Sequence, residues 1–178
     1  MKIYSNSQVN GIFKKEIGKY NSVSNLGVNP HLQWDEIEGA KEYVLMMIDY
    51  DSTRTLGFPL IHWLCSNIKT NYINENSDFK KLKITMGDTF RSNKGLHFPS
   101  ILPNSLVLEP SNVYIGPGPS DHDHYYTIKI WAVDIELNME SGFKLADVRR
   151  KMRNHILDSG EVEFKYYKNI LDYENLNK

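Results

Sequence analysis

From Gly116 the chain reads Gly-Pro-Gly-Pro-Ser-Asp-His-Asp-His-Tyr-Tyr-Thr-Ile-Lys-Ile-Trp-Ala-Val-Asp, and no other stretch narrows the fold as much. The first four residues are barred from a helix, because proline lacks the amide donor and glycine gives up too much backbone entropy. From His124 onward the side chains alternate. His124, Tyr126, Ile128, Ile130 and Ala132 fall on one face of a strand; Tyr125, Thr127, Lys129 and Trp131 fall on the other. The pattern predicts a rigid turn feeding a strand whose core face ends in Tyr126 and His124, where a pocket can open.

Two further strands are predicted to flank it. Tyr43-Val44-Leu45-Met46-Met47-Ile48 is a short apolar run, which suits a strand buried on both faces, and it stops at Asp49-Tyr50-Asp51. Carboxylates at that position either cap a turn or line a site, and the turn is the commoner case. Leu60 to Ile68 reads as a second central strand, with His62, Leu64 and Ser66 on one face and Ile61, Trp63 and Cys65 on the other. A core histidine bonded to a carbonyl is the plain reading of His62.

The remainder is less patterned. Residues 1–28 predict a short edge strand or two, and Pro30 an extended entry to a core-anchoring Trp34. Residues 69–83 read as a surface loop or weak helix. Residues 84–113 carry Gly, Pro and short apolar pieces (Ile101-Leu102, Leu106-Val107-Leu108) and read as an irregular excursion with one short strand. Leu145, Val148, Met152 and Ile156 share one helix face, with Gly160 as a stop and the nearby Lys and Arg residues as a solvated face. Val162, Phe164 and Tyr166 mark a last half-buried strand, and residues 169–178 a tail, either a short helix or frayed. Together these predict a mainly β fold: one domain over residues 1–178, an antiparallel β-sandwich with one clear helix near the C-terminus and minor helical decoration.

Charge and composition exclude several classes. Lys plus Arg number 21 against 22 for Asp plus Glu, a balance that argues against a dedicated nucleic-acid binder. No apolar run is long enough for a transmembrane segment, and Met1 to Ser7 carries no apolar signal core. Cys65 is the only cysteine, so an internal disulfide is excluded and a reducing, cytoplasmic setting is the expectation.

Three chemistries are open to these residues. In the first, His62, His124 and the Tyr126 hydroxyl hydrogen-bond a small anion while Asp49 orients one imidazole. In the second, His122, His124, His62 and an Asp bind a divalent metal in a β-sandwich enzyme; a bare His-x-His beside Gly and Pro is weak support. In the third, Cys65 or Ser66 is a nucleophile. Cys65 and His62 fall on opposite faces unless a bulge intervenes, Ser66 lies too far along the strand, and no Gly-x-Ser-x-Gly elbow occurs. The first is favoured: a non-enzymatic binding module with no catalytic residue, metal or cofactor assigned.

Several segments, in fixed order, resemble the phosphatidylethanolamine-binding protein family. Asn29-Pro30-His31-Leu32-Gln33-Trp34 is similar to the family pattern Ser-Pro-Pro-Leu-x-Trp. Ile48-Asp49-Tyr50-Asp51, His62-Trp63 and Asn67-Ile68 are similar to Asp-Pro-Asp-Ala-Pro followed by His-Trp and Asn-Ile. Gly116-Pro117-Gly118-Pro119 with His124 and Tyr126 is similar to Gly-Pro-Cys-Pro-Pro ending in His-Arg-Tyr. Ala132-Val133-Asp134 and His155-Ile156-Leu157 look like the bacterial and archaeal, Raf kinase inhibitor-like branch. The matches cover roughly residues 25–68 and 114–166, while 69–113 match poorly. The resemblance implies a β-sandwich with a small pocket for phosphate-like or carboxylate groups, lined by Asp49, His62, Pro119, His124 and Tyr126 with Gly116 shaping the wall. It also implies that a protein partner such as a kinase or hydrolase can be regulated, and it is compatible with a homodimer. Tyr50, Ser52-Thr53, Gly118, Ser120 and Tyr125 depart from the pattern, removing two rigid positions and one arginine cation beside the site.

Overall fold

Alternation on two long strands organises the molecule into layers. In the computed structural model, which describes residues 1–92 and 111–176, strand β5 (Glu42–Asp49) is buried along its whole length, as its apolar run predicts. Tyr43, Leu45 and Met47 enter one core cluster while Val44, Met46 and Ile48 enter another. Strand β9 (His124–Val133) pairs antiparallel with β5 and divides in the same way: Tyr126, Ile128, Ile130 and Ala132 face the first cluster, Trp131 and Val133 the second.

These two strands are the middle of a seven-stranded sheet. Its order is β2 (Gln8–Val9), β3 (Ile12–Phe13), β10 (Ile156–Tyr166), β9, β5, β6 (Leu60–Ile68), β8 (Thr85–Met86). All described pairings are antiparallel except that of β3 with β10. A three-stranded sheet of β1 (Ile3–Tyr4), β4 (Leu32–Trp34) and β7 (Tyr72–Ile73) covers the first face, giving it Leu32, Trp34 and Ile73. The second face is covered by helix α2 (Leu145–Met152) through Val148 and Met152. The fold is mainly β, as expected, with one sheet much larger than the other. Two four-residue helices, α1 (Thr53–Leu56) and α3 (Leu171–Glu174), and a single 3-10 turn at Lys15–Ile17 complete the regular structure of the described residues.

Four expectations change. The spacing that extends the helix face to Ile156 is fortuitous: α2 ends at Met152, Asn154 turns the chain with φ of 68°, and Ile156 opens β10. Gly160 is no helix stop. It pairs with Ile130 in mid-strand, and a Cβ there would lie 2.2 Å from the Met1 carbonyl oxygen, so glycine admits the N-terminal segment across the sheet. Within residues 69–83 the structure places β7, whose Ile73 is fully buried, rather than a loop or helix alone. The apolar pieces Ile101-Leu102 and Leu106-Val107-Leu108 lie outside the described residues; among the described part of residues 84–113 there is one short strand, β8.

The fourth change is at His62. Met47 pairs with Trp63 and Ile48 with Ile61, so His62 is the extra residue of a β-bulge. Strict alternation groups His62 with Leu64, which packs in the helix-side cluster. Instead its ring meets Tyr126, a residue of the opposite face, at 5.1 Å between centroids. The bulge re-aims the imidazole to the end of the first core.

Candidate functional site

At that end of the first core lies a cavity of about 270 Å³, bounded by Asp49, His62, Gly116, Pro119, His124 and Tyr126, all six expected residues. Ser52, Phe90, Arg91, Ile115 and Ser120 also line it. Asp49 is the last residue of β5 and pairs with Tyr126 of β9, and His124 lies two residues before Tyr126 on the same face. Backbone bonds from Phe90 N to Ile61 O and from Ile115 N to His62 O, both 2.9 Å, set the remaining wall against β6. Asp88 accepts from the Ser92 and Ser111 hydroxyls and from Lys144, tying Ser92 to Ser111 close to Phe90 and Arg91.

Gly116 is fixed by close approach. A Cβ there would come within 2.3 Å of Ile17 O and 2.6 Å of Leu26 O, whereas a Cβ at Gly118 meets nothing nearer than 3.8 Å. The turn is also braced from outside, since Lys19 Nζ donates to Pro119 O at 2.5 Å and Lys168 Nζ to Asp121 O at 3.0 Å.

The two histidines are held in opposite ways. His62 donates Nδ1–H to Ile115 O at 2.9 Å, which leaves Nε2 as a lone pair. That atom is buried with no hydrogen-bond partner, its nearest carboxylate oxygen being Asp49 Oδ2 at 3.9 Å. Burial lowers its pKa to about 4, against the opposing charge of Asp49. His124 instead places each nitrogen on a carboxylate: Nδ1 on Asp49 Oδ2 and Nε2 on Asp121 Oδ1, both at 2.9 Å. Burial disfavours its charge, but the two hydrogen bonds and two carboxylate charges outweigh that and raise its pKa. The same hydrogen bond from His124 holds Asp121 well below the usual carboxylate range. The site therefore pairs an under-bonded imidazole pushed towards its neutral form with a fully bonded one pulled towards its charged form.

Asp49 does two jobs, since its Oδ1 also accepts from Ser52 N at 3.1 Å and closes the turn. Asp51 turns away to accept from Tyr125 N. Tyr126 receives a hydrogen bond from Gly118 N at 3.2 Å on its oxygen, which leaves its proton to donate, and burial pushes its pKa well above the ordinary value. Arg91 also has a buried Nε without a hydrogen-bond partner among the described residues. Cys65 is no nucleophile: its fully buried sulfur lies 3.3 Å from Met86 Sδ, and burial raises its pKa far from thiolate formation. His62 takes no part in a cluster with His122, whose ring nitrogen bonds Asp121 Oδ2 at 2.8 Å.

Two charged residues of the cavity and rim, Arg91 and Asp121, escape the sequence reading. Arg91 sits in an unpatterned segment with no motif to flag it. Asp121 had a visible signal, three residues before His124 in the same turn.

Comparison with known proteins bears on the family and the fold. The sequence profile of the phosphatidylethanolamine-binding protein family matches residues 6–167. The uncharacterised protein YxkA of Bacillus subtilis is 34% identical over 152 residues, covering 82% of this chain and 84% of that protein. A UPF0098 protein of Methanothermobacter thermautotrophicus is 26% identical over 140 residues, covering 76% and 80%. Among solved structures, the phosphatidylethanolamine-binding protein homologue CT736 of Chlamydia trachomatis superposes with a TM-score of 0.74 at 21% identity, over 94% of this chain and 97% of that one. Escherichia coli YbcL, described as a member of the mammalian family, gives 0.67 at 17% identity over 93% and 97%. With the profile spanning nearly the whole length and a relative above 30% identity, the chain belongs to the phosphatidylethanolamine-binding protein family.

Proposed function

We propose that the cavity binds a small oxyanion, a phosphate-like or carboxylate group, without catalysing a reaction on it. The observation that carries this reading is the pair of buried, unpartnered nitrogens in one cavity, His62 Nε2 and Arg91 Nε. Buried polar groups are nearly always hydrogen-bonded, and leaving one unsatisfied costs about 1–3 kcal/mol. One ligand can satisfy both. Arg91 Nε–H and the Tyr126 hydroxyl offer donors to ionised oxygens, and His62 Nε2 accepts from a protonated one. A phosphomonoester monoanion has that combination, with ionised oxygens and one P–OH. Arg91 also supplies a cation that the departure at Tyr125 removes. His124 contributes less than its position promises, because both its protons are already given to carboxylates.

Thermal melting in inorganic phosphate, glycerol phosphate, phosphoethanolamine and acetate tests the reading. At 100 times Kd a ligand of the native state adds about 2.7 kcal/mol, roughly 5–10 °C for a chain of this length. The shift disappears in His62→Ala and in Arg91→Ala. No shift with any of the four at millimolar concentration overturns the proposal.

A further inference from the structure

We propose that Asp121, His122 and His124 form a site for a divalent transition-metal ion of the zinc class at the rim of the cavity. The donors converge although they come from one short turn. Asp121 Oδ2 lies 2.8 Å from His122 Nδ1, Asp121 Oδ1 lies 2.9 Å from His124 Nε2, and the three ligand atoms are all within 4.8 Å of one another. A tetrahedral ion with bonds of about 2.0–2.1 Å holds its donors roughly 3.3 Å apart. The two contacts fall on different oxygens of Asp121; each is within about half an ångström of that spacing, and the other donor separations lie below 4.8 Å.

The donors are also held by the surrounding structure. His124 is set by β9, and its second nitrogen donates to the buried Asp49 carboxylate at 2.9 Å. That is the arrangement of a metal-bound imidazole, in which a carboxylate takes the distal N–H, fixes the tautomer and raises the basicity of the ligating nitrogen. His122 packs over His124 with ring centroids 4.7 Å apart. The backbone of Asp121 is tied to Lys168 Nζ, and the next acid, Asp123, accepts from Lys168 N and pairs with Lys165. The turn is thus anchored to the chain that follows β10.

Access and donor chemistry select the ion. The Asp121 and His122 side chains are 27% and 37% exposed while His124 is buried, so an ion reaches the site from solvent and finds a rigid inner ligand. Two imidazoles and one carboxylate suit zinc, cobalt or nickel, whereas magnesium and calcium take oxygen donors. Three protein donors leave at least one coordination position for water or a ligand oxygen, as in an open zinc site. The Lys168 ammonium opposes a cation here, and the carboxylates of Asp121 and Asp49 outweigh it. The site shares His124 with the cavity, but neither Asp121 nor His122 lines it, so these two test the metal site apart from the anion reading.

Calorimetric titration of the metal-free full-length chain with zinc, together with the visible spectrum of a cobalt derivative, tests this. One equivalent of zinc binds, and cobalt gives the intense bands of a four- or five-coordinate site. His122→Ala and Asp121→Asn each weaken zinc binding by about 100-fold or more, and Asp49→Asn weakens it by about 10- to 100-fold. His122→Ala keeps its melting shift in phosphate if the cavity takes an anion, so loss of zinc binding alone isolates the metal site. Failure of the wild-type chain to bind stoichiometric zinc at micromolar concentration overturns the proposal, as does undiminished affinity in His122→Ala.

Discussion

The inner wall of the cavity and its rim use the same residue types to opposite ends. On the wall, His62 is sealed beneath Phe90 and Tyr126, with one nitrogen on a backbone carbonyl and the other bare. At the rim, His124 and His122 share the Asp121 carboxylate, and His124 also rests on Asp49. The difference is one of geometry rather than composition. A bulge drives His62 inward, where Asp49 comes no nearer than 3.9 Å, so desolvation wins; β9 delivers His124 between two hydrogen-bonded carboxylates, so their charges win. The wall is left with hydrogen-bonding capacity for a ligand, while the rim has already used its own.

Asp49 is where the two regions meet, and removing it is the severest way to break them. Asp49→Ala leaves a buried imidazolium without its inner carboxylate and deprives Ser52 N of its acceptor. Removing one partner of a buried pair costs about 3–5 kcal/mol. Urea denaturation should show that loss, with a clearly smaller drop in midpoint for the more exposed Asp121→Ala. Equal drops mean that rim and wall are not distinct.

The second test titrates the wall alone. Burial holds the folded His62 at about 4, below the 6.5 of an ordinary histidine, so between those values the unfolded chain binds more protons than the folded one. His62 therefore adds stability above pH 6.5 that is lost as pH falls towards 4, on the order of 3 kcal/mol in all. His62→Gln, which cannot titrate, flattens that part of the stability profile in urea unfolding between pH 7 and 4. A slope identical to that of the wild type means that His62 is not desolvated.

How far the sequence reached follows the same division. The layers were legible because burial writes itself into alternation: Tyr126, Ile128 and Ile130 on one strand, and Met47 against Met46 on another, admit one arrangement of faces. The six cavity residues were legible because they sit at strand ends or in the Gly-Pro turn, where local pattern marks them. The face of His62 was not, because a bulge is a property of pairing between strands, and no single strand encodes it. Arg91 was invisible for a related reason. What brings it to the cavity is the Phe90 bond to Ile61 and the Asp88 clamp, contacts made far along the chain. Gly160 misled because a glycine after a helical pattern ordinarily ends the helix, and here it makes room for the Met1 carbonyl.

A final pair of substitutions contrasts wall with rim through two glycines of one turn. At Gly116 a methyl group collides with the carbonyl oxygens of Ile17 and Leu26, and backbone on both sides cannot yield without moving the wall. Gly116→Ala is expected to cost about 1–3 kcal/mol, the range for overpacking, and to weaken any ligand of the cavity through the displaced Ile115. At Gly118, two residues on, the methyl group enters ordinary contact with the Lys19 side chain at 3.8 Å. Gly118→Ala is expected to stay within about 0.5 kcal/mol of the parent, as surface substitutions do. Parallel thermal melts of the two variants read the difference directly. If Gly116→Ala proves as harmless as Gly118→Ala, the wall is soft enough to adjust to its neighbours. A bare His62 would then be free to find a protein partner, and the case for a ligand there would lose its main support.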